Sequence, residues 1–419
     1  MISIDEKRLN EYDPSLRIRL TINGKTSDEP SYRIPLGLLY YNDMNGRIST
    51  YIEEYEDTKK DKPLKRLISE DKERYNDIIS DFIKKSSDDK FVSFNKTKED
   101  IRAKGQQQPG VVLSDGRIID GNRRFTALRE LFKETGDPKY AFFEAACIHV
   151  PEKCEKDFWT MIKLLELNLQ FNVDEKRGYN KIDFLVSFYK DVMNPETKVC
   201  DDKTYCHASG MKLSDFKNNR AIVNIMLDYL EWRNKPKAFY ILKNEKLDGP
   251  IEDIAKKKAK MSEEEWNDKK FYIYSFMTLE QTGDRTRKIR NVLDSAIKEG
   301  ALFGEIKDAM DKPDNRKLIC KVVSNGDRPS NSPEESAELM AENDSLSKVL
   351  TEAYSDGSFK QDVEAAANGP IKAIESAIKN LNAIDLALVR GLETHDKESV
   401  LQKIEIIEGR LKQVKDAAK

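Results

Sequence analysis

Gly105-Gln-Gln-Gln-Pro109-Gly-Val-Val-Leu-Ser-Asp-Gly-Arg-Ile-Ile-Asp-Gly121-Asn-Arg-Arg-Phe-Thr-Ala-Leu-Arg-Glu-Leu131 reads as strand, tight turn, strand and the start of a helix. Val111 to Leu113 is a short apolar run, Ser114-Asp115-Gly116 carries hairpin-turn residues, and Arg117 to Asp120 makes the return strand. Gly121 frees the backbone to swing into a helix whose apolar positions, Phe125, Leu128 and Leu131, are spaced three apart. Two arginines, Arg123 and Arg124, fall in the first helical turn. A cation there is unfavourable by roughly 0.3–1 kcal/mol unless an anion compensates. The free N–H groups and positive end of a helix attract phosphate, and two guanidinium forks can grip it. The pattern points to a phosphate site; ordinary surface arginines are the plainer alternative.

The flanks extend the pattern. Leu16-Arg-Ile-Arg-Leu-Thr-Ile22 alternates apolar and polar residues, which predicts a half-buried strand, and Asn23-Gly24 is a hairpin-turn signal. From Ser49 to Lys85 the chain is helical in pattern and strongly charged, with Tyr75, Ile78, Ile79 and Phe82 forming a stripe that packs on a core. Residues 86–104 read as a polar connection. Ala141 to Val150 reads as a strand and Asp157 to Gln170 as a helix. This order predicts a small α+β unit over about residues 30–150.

Beyond it the patterns are helical. Tyr179 to Val192 is an amphipathic helix that Asn194-Pro195 stops. Cys206, Gly210 four positions on, and Ser214 as the N-cap of a second helix have the spacing of a helix-turn-helix. Lys212 just before that helix, with Lys217, Asn218 and Arg220 on it, are residue types suited to DNA phosphates and base edges. A three-helix packing unit is the plainer alternative. Residues 233–323 are helical and mixed, and Ser324 to Pro333 is a linker by composition. Helices follow over 334–355, 360–390 and 397–416. Val400, Ile404, Ile407, Leu411 and Val414 make a coiled-coil seam, Ile371, Ile374, Ile378 and Leu381 a matching stripe, and Gly391 to Asp396 joins them as a hairpin.

A chain of 419 residues, 35% charged and 9% aromatic, is long enough for two or three domains. No apolar run approaches the ~20 residues of a membrane span, and the N-terminus lacks a signal-peptide pattern, so no membrane partner and a cytoplasmic location are expected. Cys147, Cys154, Cys200, Cys206 and Cys320 form no paired framework, which suits a reducing cytosol. Cys200, Cys206 and His207 have no second ligand pair at zinc spacing, so no metal site is expected there. The net charge of −3 leaves DNA binding to local basic patches.

Gly105-x-x-Gln108-Pro109, the short hairpin, and Gly121-x-Arg123-Arg124 before an Ala-containing helix resemble the ParB/sulfiredoxin-like fold. More narrowly, they are similar to the N-terminal nucleotide-binding domain of ParB-type partition proteins. Asn168-Leu169-Gln170 matches most of that family's Glu-Asn-Leu-Gln motif. The resemblance implies that Gln108, Gly121, Asn122, Arg123, Arg124 and Asn168 lie at a nucleoside triphosphate, CTP or another NTP with Mg²⁺. It makes Arg47, in Asn45-Gly-Arg47, a weaker phosphate candidate. Leu167 stands where the family has a metal-supporting Glu, with Glu166 one residue early, and Asn122 replaces an acidic residue between Gly and Arg-Arg. Those departures remove carboxylates that Mg²⁺ handling and water activation would use, so binding survives the comparison better than hydrolysis.

The expected fold class is therefore α+β: a ParB/sulfiredoxin-like unit over 1–155, a helical helix-turn-helix region over 156–240, a helical domain over 241–325, and a helical hairpin over 334–419. The expected function is a DNA-binding protein for which nucleotide is a switch in clamping or partition, homodimeric and nucleoid-associated; weak nucleoside triphosphatase activity stays open. Asp120-Gly-Asn-Arg-Arg124 also resembles an Asp-Gly-Gln-Gln-Arg motif of NTP-dependent restriction and phage-defence proteins, and a nucleotide-independent interaction protein on the same fold is a third reading. The sulfiredoxin reaction would need Cys where Asn122 stands.

Overall fold

The computed structural model describes residues 4, 14–22, 25–59, 63–86, 91–149, 160, 162–166, 169, 180–279, 283–325 and 333–419. Its strands are β1 (Pro14–Ile22), β2 (Lys25–Pro35), β3 (Tyr40–Tyr41), β4 (Gly110–Leu113), β5 (Arg117–Asp120) and β6 (Phe142–Ile148). They form one mixed sheet in the order β1-β2-β6-β4-β5-β3. The β4–β6 and β3–β5 pairs are parallel and the rest antiparallel.

The strand–turn–strand reading of 111–120 is realised as β4 and β5, joined through Gly116 at φ 93°. Period-two alternation sends their side chains to opposite faces. Val112 and Ile118 join a cluster with Tyr41, Tyr75, Phe125 and Phe143. Val111, Leu113 and Ile119 join a smaller one with Leu20, Ala146, Ile162 and Leu165. Both faces of the central hairpin are thereby covered. The expected turn at Asn23-Gly24 and residues 326–332 of the expected linker lie outside the described residues, while the linker's ends are helical: Ser324 and Asn325 close one helix and Pro333 opens the next.

Helices α1 (Ser49–Thr58), α2 (Leu64–Glu70), α3 (Lys72–Lys85), α4 (Val92–Lys104) and α5 (Asn122–Thr135) accompany the sheet, and the helical residues 162–166 add Ile162 and Leu165 to the smaller cluster. On α3 the expected stripe packs inward, with Tyr75, Ile79 and Phe82 buried. Residues 86–104, a polar connection by sequence, contain α4 instead. Only Phe94 and Ile101 of α4 are buried, too few for a helical period to show. Polar contacts dock it: Lys98 pairs with Glu130 at 2.8 Å and Arg102 with Glu134 at 3.0 Å, both on α5.

The rest of the described chain is helical: α6 (Lys181–Phe188) running into a π turn at Tyr189–Met193, then α7 (Asp202–Ser209), α8 (Leu213–Trp232), α9 (Phe239–Asn244), α10 (Asp248–Lys258), α11 (Glu263–Leu279), α12 (Arg285–Lys298), α13 (Ala301–Asp311), α14 (Pro313–Asn325), α15 (Pro333–Asn382), α16 (Leu386–Arg390) and α17 (Thr394–Ala417). The protein is thus mixed α+β, a six-stranded sheet followed by helices. One apolar cluster runs from Ile182 to Ala353, so segments 156–240 and 241–325 share a core with the start of 334–419.

Where the sequence predicts two helices, 334–355 and 360–390, a single helix α15 joins them from Pro333 but ends at Asn382, and residues 386–390 form the separate α16. Gly357 lies between the two expected helices, and glycine weakens a helix. Here its bare Cα lets α15 approach α13: a Cβ would sit 2.8 Å from the Leu302 Cα. A polar seam ties the sheet unit to the helical body. Thr50 on α1 donates to Asp183 Oδ1 at 2.5 Å, and Lys243 on α9 donates to Oδ2 at 2.6 Å.

Candidate functional site

β5 ends at Asp120, Gly121 turns at φ 95°, and α5 begins at Asn122 with no side-chain cap. The first-turn N–H groups of α5 therefore point out of the helix without a capping oxygen. Only glycine fits the junction: a Cβ on Gly121 would lie 2.7 Å from the Phe143 ring and 3.1 Å from Arg124 Nη2. Against this helix end lies a cleft of about 1420 Å³ lined by Gln108, Gly121, Asn122, Arg123, Arg124 and Arg47. The structure brings these sequence-derived candidates to one place.

Their partners set the geometry. Arg124 donates to Asp120 Oδ2 at 2.9 Å and to Gln108 Oε1 at 3.3 Å. Arg123 donates to Ser93 Oγ at 2.8 Å. Asn122 is 8% exposed, and its Oδ1 is buried without a hydrogen-bond partner. The loop bearing Gln108 is pinned by Gln106, which donates to Glu144 O at 2.7 Å and to Gln108 O at 2.9 Å and accepts from Glu144 N at 2.9 Å.

Sequence reasoning misses part of the wall. Arg17 and Arg19 of β1, and Ser93 and Lys96 of α4, line the same cleft. The two-residue spacing of Arg17 and Arg19 is the available signal, since period two puts both on one strand face. Ser93 and Lys96 are hidden because the sequence of their helix reads as a connection. Six cations, Arg17, Arg19, Arg47, Lys96, Arg123 and Arg124, face three carboxylates, Glu99, Asp100 and Asp120, so the cleft is positive in a chain of net charge −3. Each carboxylate has a cation: Glu99 pairs with Arg102 at 3.4 Å, Asp100 with Lys104 at 2.6 Å and Asp120 with Arg124 at 2.9 Å. Among the described residues no group of three or more His, Cys, Asp or Glu converges as a metal cluster. The described residues therefore suit phosphate groups, and among them no convergent carboxylate set is offered to Mg²⁺.

Asn168, with Leu167 and Gln170, lies outside the described residues. Glu166 does not line the cleft; it is 3% exposed and accepts from Gly46 N at 3.2 Å.

The expected helix-turn-helix corresponds to α7, a turn at Gly210 with φ 63°, and α8. Phe188, Tyr205 and Phe216 form an edge-on aromatic triangle, with centroids 5.0–6.0 Å apart, that locks α6, α7 and α8 together. Ser214 is not the N-cap: α8 starts at Leu213, capped by Lys212 without a side-chain hydrogen bond, and Ser214 sits in the first turn. Lys212, Lys217 and Asn218 are exposed. Arg220 is turned back, paired with Asp202 at 2.8 Å and lying 5.0 Å over the Phe216 ring. No family model matches the chain, and no curated protein or solved structure matches it.

Proposed function

We propose that the protein binds a nucleoside triphosphate in the cleft at Gly121 and DNA through the exposed face of α8, as a ParB-like protein in which nucleotide is the switch for clamping or partition. The observation that carries this reading is the convergence of Gln108, Gly121, Asn122, Arg123, Arg124 and Arg47 on one positive cleft at an uncapped helix N-terminus. Backbone donors and guanidinium forks together are the chemistry that holds a phosphate chain. CTP as the nucleotide, the ParB-like fold and the nucleoid location rest on the sequence resemblance alone. With the cleft carboxylates paired to cations, the reading is one of binding, and no hydrolytic step is assigned.

Calorimetric titration of CTP, ATP and GTP with Mg²⁺ tests it. The wild type binds one of them, and Arg123→Ala/Arg124→Ala weakens it more than tenfold, since hydrogen bonds to charged groups are worth about 1.5–3 kcal/mol each. A folded wild type that binds none leaves the second reading, a nucleotide-independent interaction protein. That reading has its own support: Arg124 is engaged by Asp120 and Gln108, and Arg123 by Ser93, with no ligand needed to hold them. For DNA, Lys217→Ala lowers affinity and reduces the slope of log K against log salt by about 1. An unchanged slope removes α8 from the DNA interface. A homodimer joined through the C-terminal helices completes the proposal.

A further inference from the structure

Arg47 reaches the cleft from a single 3-10 turn, Gly46–Ile48. So short a turn has almost no hydrogen-bond ladder of its own, and its position must be set by what surrounds it. Within the turn, Asn45 Oδ1 accepts from Arg47 N at 3.0 Å. Behind it, two side chains of the helical segment 162–166 clamp the backbone just before Arg47. Lys163 Nζ donates to Met44 O at 2.5 Å, and Gly46 N donates to Glu166 Oε1 at 3.2 Å. Lys163 and Glu166 pair at 3.2 Å, and Asp191 of the π turn lies 3.7 Å from Lys163. Ser187 Oγ donates to the second oxygen of Asp191 at 3.3 Å.

These three ionisable side chains are 6%, 3% and 2% exposed, and none lines the cleft. Burial pushes the carboxyls of Glu166 and Asp191 above their ordinary range, against the pull of Lys163. Burial also disfavours the Lys163 ammonium, but Asp191 and Glu166 outweigh it and hold its pKa above the usual lysine value. A buried ion cluster is weak evidence of stability, since well-packed apolar residues of the same volume often do as well or better. What apolar residues could not do is grip Met44 O and Gly46 N on either side of Asn45.

We propose that Lys163 and Glu166, braced by Asp191, are positioning residues that hold the Met44–Arg47 turn so that Arg47 meets an anionic ligand in the cleft. The proposal rests on reading the cleft as a phosphate site. It gives Glu166 a role behind the wall, since the structure turns it away from the cleft. Because Asp191 belongs to the helical body, the clamp also links the cleft wall to the element that precedes α7 and α8.

A double-mutant cycle with inorganic triphosphate as probe tests it, with a thermal melt of every variant. Arg47→Ala weakens binding about tenfold or more, and Glu166→Ala weakens it severalfold in the wild-type background. In the Arg47→Ala background Glu166→Ala causes no further loss, because its effect runs through the missing side chain. Glu166→Gln, which keeps an oxygen for Gly46 N, restores most of the affinity. If Glu166→Ala does not fold, Lys163→Met takes its place in the same cycle. Equal losses from the Glu166 or Lys163 substitution with and without Arg47 overturn the proposal, as does wild-type affinity in Arg47→Ala. In the latter case, loss of binding in Arg123→Ala/Arg124→Ala leaves the phosphate reading standing. A folded wild type that binds no triphosphate overturns both.

Discussion

Ile289, Val292, Leu293 and Ala296 recur along α12 at amphipathic spacing and are 0–1% exposed. Ile371, Ile374, Ile378 and Leu381 recur in the same manner along the second half of α15 and remain 37–58% exposed. Periodicity is equivalent in the two stretches; neighbours are not. α12 packs against α10, α11 and α13, whereas the apolar stripes of α15 and α17 leave each other largely uncovered. Of the eighteen exposed large apolar side chains among the described residues, fourteen lie between Phe359 and Leu411. Monomers rarely leave so concentrated an apolar surface open unless it serves an interface. A helical period thus identifies which face wants cover, and says nothing about whether the same chain supplies it.

The sharpest way to break this contrast is to charge the open stripe. Ile374→Asp, Ile378→Asp, Ile404→Asp and Ile407→Asp together should convert a dimer to monomers in sedimentation equilibrium. At roughly 1.5 kcal/mol or more per apolar side chain removed from the interface, the loss is on the order of 6 kcal/mol. Melting of the cluster from Ile182 to Ala353 should stay put. A wild type that sediments as a monomer at all concentrations would show that the stripe serves something other than self-association. The counterpart in the body is Trp266→Ala. Trp266 is 1% exposed and packs edge-on against Tyr274 at 5.5 Å. Its truncation should cost about 3–5 kcal/mol in urea unfolding, whereas a single Ile378→Ala should stay within about 0.5 kcal/mol in monomeric conditions. Similar costs at the two positions would mean that the tail is packed as tightly as the body.

The same distinction explains what can be read from the sequence. The hairpin at 110–120, the Gly121 junction and the start of α5 are legible because each depends on local chemistry: turn residues, a positive φ and a three-residue apolar spacing. The gathering of Gln108, Asn122, Arg123 and Arg124 follows from that local unit. Arg17, Arg19, Ser93 and Lys96 come from elements distant in sequence, and nothing local announces that β1 and α4 border the same cleft. Glu166 is visible as a carboxylate out of register, but which way it faces is set by Gly46 and Lys163, one of them 120 residues away. On α8, Ser214 looks like a cap by residue type, while the backbone begins the helix one residue earlier, at Leu213.

The smallest expected effect marks where α15 passes from buried to open. Gly357 and Gly409 are both helix-interior glycines, and alanine at either gains about 0.5–1 kcal/mol of backbone preference. At Gly409 nothing lies within 4 Å of the place an added methyl would take, so Gly409→Ala should realise that gain and raise the melting temperature of α17 slightly. At Gly357 the added methyl would meet the Leu302 backbone at 2.8 Å, which a rotamer change cannot relieve. Overpacking of this kind costs about 1–3 kcal/mol and outweighs the gain, so Gly357→Ala should destabilise. Opposite signs for one substitution on two helices of the same module would locate the boundary between body and tail near residue 357. Stabilisation at both positions would mean instead that this part of α15 is free to move off α13, and that the tightly packed body ends before residue 357.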